Sequence, residues 1–279
     1  MKQRYAPVLV AMAVLALVVS APAHADIPDS ALASADVVIL GEIHDDPAHH
    51  RIQAETIARM VALGRAPTVV FEMIPADLQA PLGAALADPS ISADRLGEVL
   101  AWEERGWGDF ALYRPIFTVA LESRLQLRAG DLTDDDKRQI SRGGAAALSA
   151  EEQTRLGLDV PLGEDARAAL RETLVTSHCG MLPEKSLPAM IDVQRARDGA
   201  MADAVKSASE QGPVVLITGQ GHARRDWGVP AVLARTAPDL KVFSIALVAD
   251  GAGASGPFDA IIATGPPPKR DEDPCAAFK

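Results

Sequence analysis

The stretch "VVILGEIHDD", residues 37–46, carries four apolar residues into a glycine, a glutamate, a histidine and two aspartates. A short apolar run closed by turn-forming residues reads as a buried strand. Asp46 followed by Pro47 is an N-cap and first-turn pair, so a helix is expected to start there and to stop near Gly64. That accounts for Asp46 and leaves Glu42 and His44 unexplained. The arrangement returns in "VVLITGQGHARRD", residues 214–226, where Gly219 and His222 keep the spacing of Gly41 and His44.

Outward from these two strand ends, apolar runs alternate with helical stretches. Strands are expected over 36–40, 68–72, 125–131, 214–218, 241–248 and 259–264. This alternation predicts an α/β fold with a mostly parallel central sheet and an inserted helical subdomain. The first two strands and the helix between them form a βαβ unit with a right-handed crossover. One domain is expected over 26–264, with helical insertions at about 76–124 and 134–211 and an irregular, Pro-rich tail over 265–279.

With 48% hydrophobic and 23% charged residues over 279 positions, the composition is globular rather than disordered. Residues 1–25 read as a secretory signal: Lys2 and Arg4, an apolar run over 6–19, then "AHA" before Asp26. The mature chain is therefore expected to be exported, periplasmic and soluble. Cleavage would take the formal charge from -11 to -13, which argues against nucleic acid as a partner. Cys179 and Cys275 would then meet an oxidising compartment. A bridge between them would close a loop of about 100 residues, worth up to about 4.7 kcal/mol in the chain-entropy account; two free thiols are the alternative.

In open α/β sheets, ligands gather at the carboxyl ends of the strands. Glu42, His44, Glu72 (closing "TVVFE") and His222 all fall there. Singly, each reads as a loop or strand-end residue; the repeated Gly-x-x-His spacing argues for a site, with glycine expected to turn the backbone tightly. His49 and His50 fit a solvated helix face better, His49 lying closer to the site. The segment "WEERGWGDFALYRPIF", residues 102–117, concentrates aromatics in a chain with only 4% of them. Trp102, Phe110 and Phe117 fit a core stripe. Tyr113 is the sole tyrosine beyond the signal segment, and a phenolate can ligate ferric iron. The adjacent Arg114 could hold a carboxylate. In "DVQRARDGAMADAV", residues 192–205, Arg197 and Met201 share a helix face. Ser-His-Asp, P-loop and zincin motifs are absent from the sequence.

In order, "LGEIHDD", "VVFEMI", "YRPI", "SHCGMLPE", "RDGAMA" and "LITGQGHARRDWGVP" resemble the ChaN-like haem-binding uptake proteins of the Tiki/TraB/EreA superfamily, over about 36–249. The resemblance implies an exported haem-binding protein in haem or iron acquisition, a homodimer with haem between subunits, a tyrosine iron ligand and a transport partner of unknown identity. By position, Gly41, Glu42, His44, Glu72, Arg197, Gly219 and His222 fall on the superfamily's shared polar cluster. The lipid-anchor cysteine of some members is missing here.

Two functions stay open. In the first, haem iron sits on Tyr113, with propionates met by Arg114 or by His44 or His222, Arg197 in the binding cluster, and the porphyrin covered by Trp102, Trp107 and Phe110. In the second, a metal-dependent hydrolase, a protease or esterase, has His44 and His222 holding a divalent transition metal, with Glu42 or Glu72 as further ligand or general base. A plainer alternative is a folding or binding factor without cofactor, whose histidines satisfy one another through a carboxylate.

Overall fold

A computed structural model describes residues 27–250, 252, 256–269 and 275. The expected signal segment and most of the expected tail lie outside the described residues. The six expected strands all form: β1 (Val37–Glu42), β2 (Thr68–Pro75), β3 (Leu127–Asp131), β4 (Val214–Gly219), β5 (Val242–Val248) and β6 (Ala260–Ala263). They pair in the order β3-β2-β4-β1-β5-β6, every pair parallel. The chain thus winds outward from β1 to β3, returns to place β4 between β1 and β2, and continues the other way. This brings the carboxyl ends of β1, β4 and β2 side by side.

Two strands run further than the apolar pattern indicates. β1 continues to Glu42 because Glu42 stays in register with Gly219 of β4. β2 continues to Pro75, with a register shift against β3 between Phe71 and Pro75. Strand periodicity then divides the side chains between two faces. On one, Val38, Leu40, Val69, Phe71, Val215 and Ile217 pack with the helical aromatics Trp102, Tyr113 and Phe117. On the other, Val37, Ile39, Val70, Val214 and Leu216 pack against Met201, Ala202 and Val205.

The first face is covered by α2 (Pro47–Ala62), α3 (Gln79–Leu86), α4 (Ala93–Val99) and α5 (Arg114–Glu122), preceded in the chain by the short α1 (Asp29–Ser34). The Asp46 carboxylate caps α2 by accepting from Ala48 N at 2.9 Å, as the Asp-Pro pair predicts. After β3 come α6 (Asp134–Gly143), α7 (Ala150–Arg155), α8 (Glu164–Ser177) and α9 (Leu187–Ser209), then α10 (Val229–Thr236) following β4. The 23-residue α9 lies across the second face and also seals two smaller apolar clusters, one around Leu156 and Ile140, the other around Leu174 and Trp227. Cys179, just past α8, is disulfide-bonded to Cys275. Among the described residues, no helix is long and apolar enough to cross a membrane.

Candidate functional site

Glu42 closes β1 and Glu72 lies within β2, strands separated only by β4, yet they point to opposite faces of the sheet. Counting by twos from Val38 sends Glu42 to the α2/α5 face, and counting from Val70 sends Glu72 to the α9 face. Both carboxylates are buried.

Around Glu42, α2 contributes His50 and Gln53, one turn apart, and the start of α5 contributes Tyr113. Gln53 Nε2 donates to Glu42 Oε2 at 2.5 Å, and His50 Nε2 lies 3.4 Å from the same oxygen. The Tyr113 hydroxyl donates to Glu42 Oε1, and His44 Nδ1 meets that oxygen at 2.8 Å. Burial pushes the Glu42 carboxyl up, but hydrogen bonds from His44 and His50 outweigh it and hold the pKa at about 2. An ionised Glu42 requires the proton of His44 on Nδ1, so in the neutral ring Nε2 carries the lone pair. His44 is 39% exposed in its side chain and stands edge-on to Trp107, with centroids 5.1 Å apart. Burial lowers its pKa, while Glu72 and Glu42 raise it to a net increase.

Around Glu72 two neutral donors are joined by charged partners. Arg197 of α9 donates from Nη2 to Oε1 at 2.8 Å, Thr218 Oγ1 donates to Oε2 at 2.7 Å, and Gly219 N to the same oxygen at 2.5 Å. His222 Nε2 lies 3.4 Å from Oε1, and its Nδ1 bonds Asp198 Oδ1 at 2.7 Å. Arg197 also grips Asp131, at the end of β3, at 3.0 Å, and Lys137 reaches Asp131 at 3.1 Å. Three carboxylates thus face Arg197, Lys137 and His222. Against the opposing effect of burial, Glu72 and Asp198 raise His222 to about 9, so it is protonated at neutral pH. Glu72 is held well below its usual range despite burial, by His222 and Arg197. Burial lifts Asp198 to about 6 against the pull of His222.

These placements correct several expectations. Tyr113 is wholly buried, its hydroxyl spent on Glu42 with His44 Nδ1 3.2 Å away, and burial together with Glu42 raises its pKa well above the normal phenol value. In this arrangement the phenol faces the Glu42 carboxylate inside the core rather than the outer edge of the sheet. Arg114 is not brought to the cluster: it pairs with Asp94 at 2.6 Å on the surface. Trp102 and Phe110 are core residues, leaving only the partly buried Trp107 beside the site. His44 and His222 do not converge on a cation. The position between His222, Glu72 and Asp131 is taken by the Arg197 guanidinium, and among the described residues no group of three or more His, Cys, Asp or Glu side chains could hold a metal ion.

Gly41 and Gly219 do not serve the turn expected of them, because both lie within strands and neither has a positive φ. They permit close approach instead. A Cβ on Gly41 would lie 2.7 Å from the Ala223 Cβ, and one on Gly219 2.9 Å from His44 Nε2. His49 is fully buried rather than solvated; its Nδ1 accepts Ile43 N at 2.9 Å and so fastens the β1–α2 loop. It is His50 that reaches Glu42. Sequence reasoning ranked His50 behind His49 and missed Gln53, Asp131 and Asp198. The signals were there: the three-residue His50–Gln53 step on one helix face, an aspartate closing β3, and an acid directly after Arg197.

The family model for "Haem-binding uptake, Tiki superfamily, ChaN" matches residues 30–233. Among solved structures, that of cofacial haem binding to ChaN of Campylobacter jejuni is 20% identical, covering 84% of this chain and 89% of that one with a TM-score of 0.69, a likeness of fold. The type III effector HopBA1 (12% identity, 86% and 92% coverage, TM-score 0.48) and the erythromycin esterase EreC (13%, 79% and 72%, TM-score 0.43) are more distant. No curated protein sequence matches.

Proposed function

The chain belongs to the haem-binding uptake family of the Tiki superfamily that includes ChaN, and from that premise we propose that it is an exported haem-binding protein whose iron-facing residue is His44. The assignment rests on one observation: His44 is the exposed member of an otherwise buried cluster, and its Nδ1 is tied to Glu42. A carboxylate on one ring nitrogen fixes the tautomer and makes the other nitrogen a better donor to iron. Tyr113 acts from behind as a positioning residue, because its hydroxyl shares Glu42 Oε1 with His44.

Haem would bring an iron that can take a side-chain ligand, here held by His44, and two propionates. The residues fit it at the edge of the sheet rather than in an enclosed cavity. The cleft beside Trp107 has a volume of about 200 Å³, below the range of roughly 300–1,000 Å³ typical of pockets that enclose a ligand. A porphyrin laid against His44, Trp107 and the exposed Ile43 would leave its other face open. That arrangement agrees with a homodimer, and with the cofacial haem binding of Campylobacter ChaN. Haem is here cargo for uptake, passed to a transport partner.

A hemin titration followed by absorption spectroscopy tests the assignment. His44→Ala is expected to abolish or strongly weaken the shifted haem band, whereas Tyr113→Phe keeps iron coordination with a modest loss of affinity. The reverse pattern would return the iron to Tyr113.

A further inference from the structure

We propose that His49 is an acid-sensitive latch on the β1–α2 loop: its neutral ring holds Ile43 N–H, and proton uptake by that ring frees the segment that carries His44. The inference goes beyond the haem reading and does not depend on it. His49 stands in the first turn of α2, is fully buried, and takes no part in the hydrogen bonds around Glu42. The loop above it is open to solvent, with Ile43 40% exposed and the His44 side chain 39%.

The Ile43 N–H bond to His49 Nδ1, at 2.9 Å, fixes the tautomer. Nδ1 must carry the lone pair, so the proton of the neutral ring sits on Nε2, 3.4 Å from Asp46 Oδ2. A second proton can enter only at Nδ1, where it meets the Ile43 N–H head-on. Two donors then face each other in a site closed to water, and an unpaired buried donor costs more than one released to solvent. The titratable groups facing the ring are Asp45 and Asp46 ahead of the helix, Glu42 at the end of β1 and His50 on α2. Burial lowers the His49 pKa, and the attraction of Asp46 and Glu42 does not restore it, so the ring is neutral at neutral pH. An imidazole depressed in this way contributes above its ordinary range and is lost as pH falls below it. The latch is therefore closed at neutral pH and open in acid.

The test follows the full protein without hemin by nitrogen NMR on isotope-labelled samples, from about pH 8 to about pH 4.5, a range that spans the ordinary imidazole titration. Ring nitrogen shifts report the His49 tautomer and its proton uptake, and hydrogen exchange reports Ile43 N–H. At the upper end His49 should carry its proton on Nε2, with Ile43 N–H protected. As His49 protonates, that protection, corrected for the intrinsic pH dependence of exchange, should fall by about tenfold or more, the scale of one lost buried hydrogen bond. His49→Asn sets an acceptor that takes up no proton near the Nδ1 position, and should keep Ile43 protected throughout. Unchanged Ile43 protection across the wild-type titration overturns the latch, and needs no variant to fold. So does an Nδ1–H tautomer at the upper end, or global unfolding before His49 takes up its proton. The same pH dependence in His49→Asn also overturns it, by passing the effect to His44 or Asp198. None of these outcomes bears on hemin binding.

Discussion

The two buried glutamates at this edge of the sheet are alike in residue type and depth, and differ in the company each keeps. Glu42 is satisfied by Gln53, Tyr113 and His44, with His50 3.4 Å away, groups that are neutral or can become so. Glu72 accepts from two neutral donors, Thr218 Oγ1 and Gly219 N, but also from a permanent cation, Arg197, with a His222 held protonated beside it. One pocket therefore presents an adjustable imidazole to solvent, and the other is a closed ionic cluster that ties β2, β3, β4 and α9 together. Burial alone does not distinguish the pocket that meets a ligand from the one that holds the fold; the charge of the partners does. Removing one member of a buried ion cluster strands the others, at a cost of about 3–5 kcal/mol. Losing a hydrogen-bonded acceptor among neutral groups costs about 1–3 kcal/mol. Glu72→Gln should accordingly destabilise the protein by more than Glu42→Gln in denaturant unfolding, and equal losses would break the comparison.

The pH dependence sharpens it. His222 is raised from 6.5 to about 9 in the folded protein. Its contribution is fully present below about pH 6.5 and is lost as pH rises through about 9, on the order of 3 kcal/mol in all. Glu42 is depressed from 4.5 to about 2. Its contribution is present above about pH 4.5 and is lost as pH falls through about 2. Stability measured from pH 6 to 10 should decline steeply in the wild-type protein and clearly less in His222→Gln, where only the raised His44 still loses its share as pH rises. A decline of the same size in both would remove His222 from the ionic cluster.

How much of this could be read in the sequence follows from what each feature depends on. The six strands and the capped α2 are local patterns of apolar runs, Asp-Pro and glycine, and all appear as expected. The convergence of Glu42, His44, Glu72 and His222 on one edge was also legible, since it needs only strand ends and a parallel sheet. The division of the two glutamates between faces was not, because it depends on which helices cover which face and on β1 running two residues past Leu40. Tyr113 beside Arg114 looked like a ligand and its clamp; one helical step instead turns the phenol into the core and the guanidinium onto the surface with Asp94. Arg197 and Asp198 are adjacent in the chain, yet they point to different partners inside the same cluster, Glu72 with Asp131 for Arg197 and His222 for Asp198.

The smallest expected change in stability comes from the residue between the pockets. Gly219 stands opposite Glu42 in the β1–β4 register and donates its N–H to Glu72. A Cβ there would lie 2.9 Å from His44 Nε2, 3.3 Å from His44 Cε1 and 3.5 Å from Glu72 Oε2. The imidazole is the mobile end of a partly exposed side chain, so it can swing outward, whereas the buried carboxylate needs only ordinary contact. Gly219→Ala should therefore cost about 1 kcal/mol, the low end for added bulk in a packed site, while displacing His44 from Glu42 and sharply reducing hemin affinity. Near-normal unfolding with lost haem binding would assign the two pockets their separate roles at a single atom. A loss of several kcal/mol would instead mean that the added methyl strikes the Glu72 cluster, and that the two pockets are mechanically one.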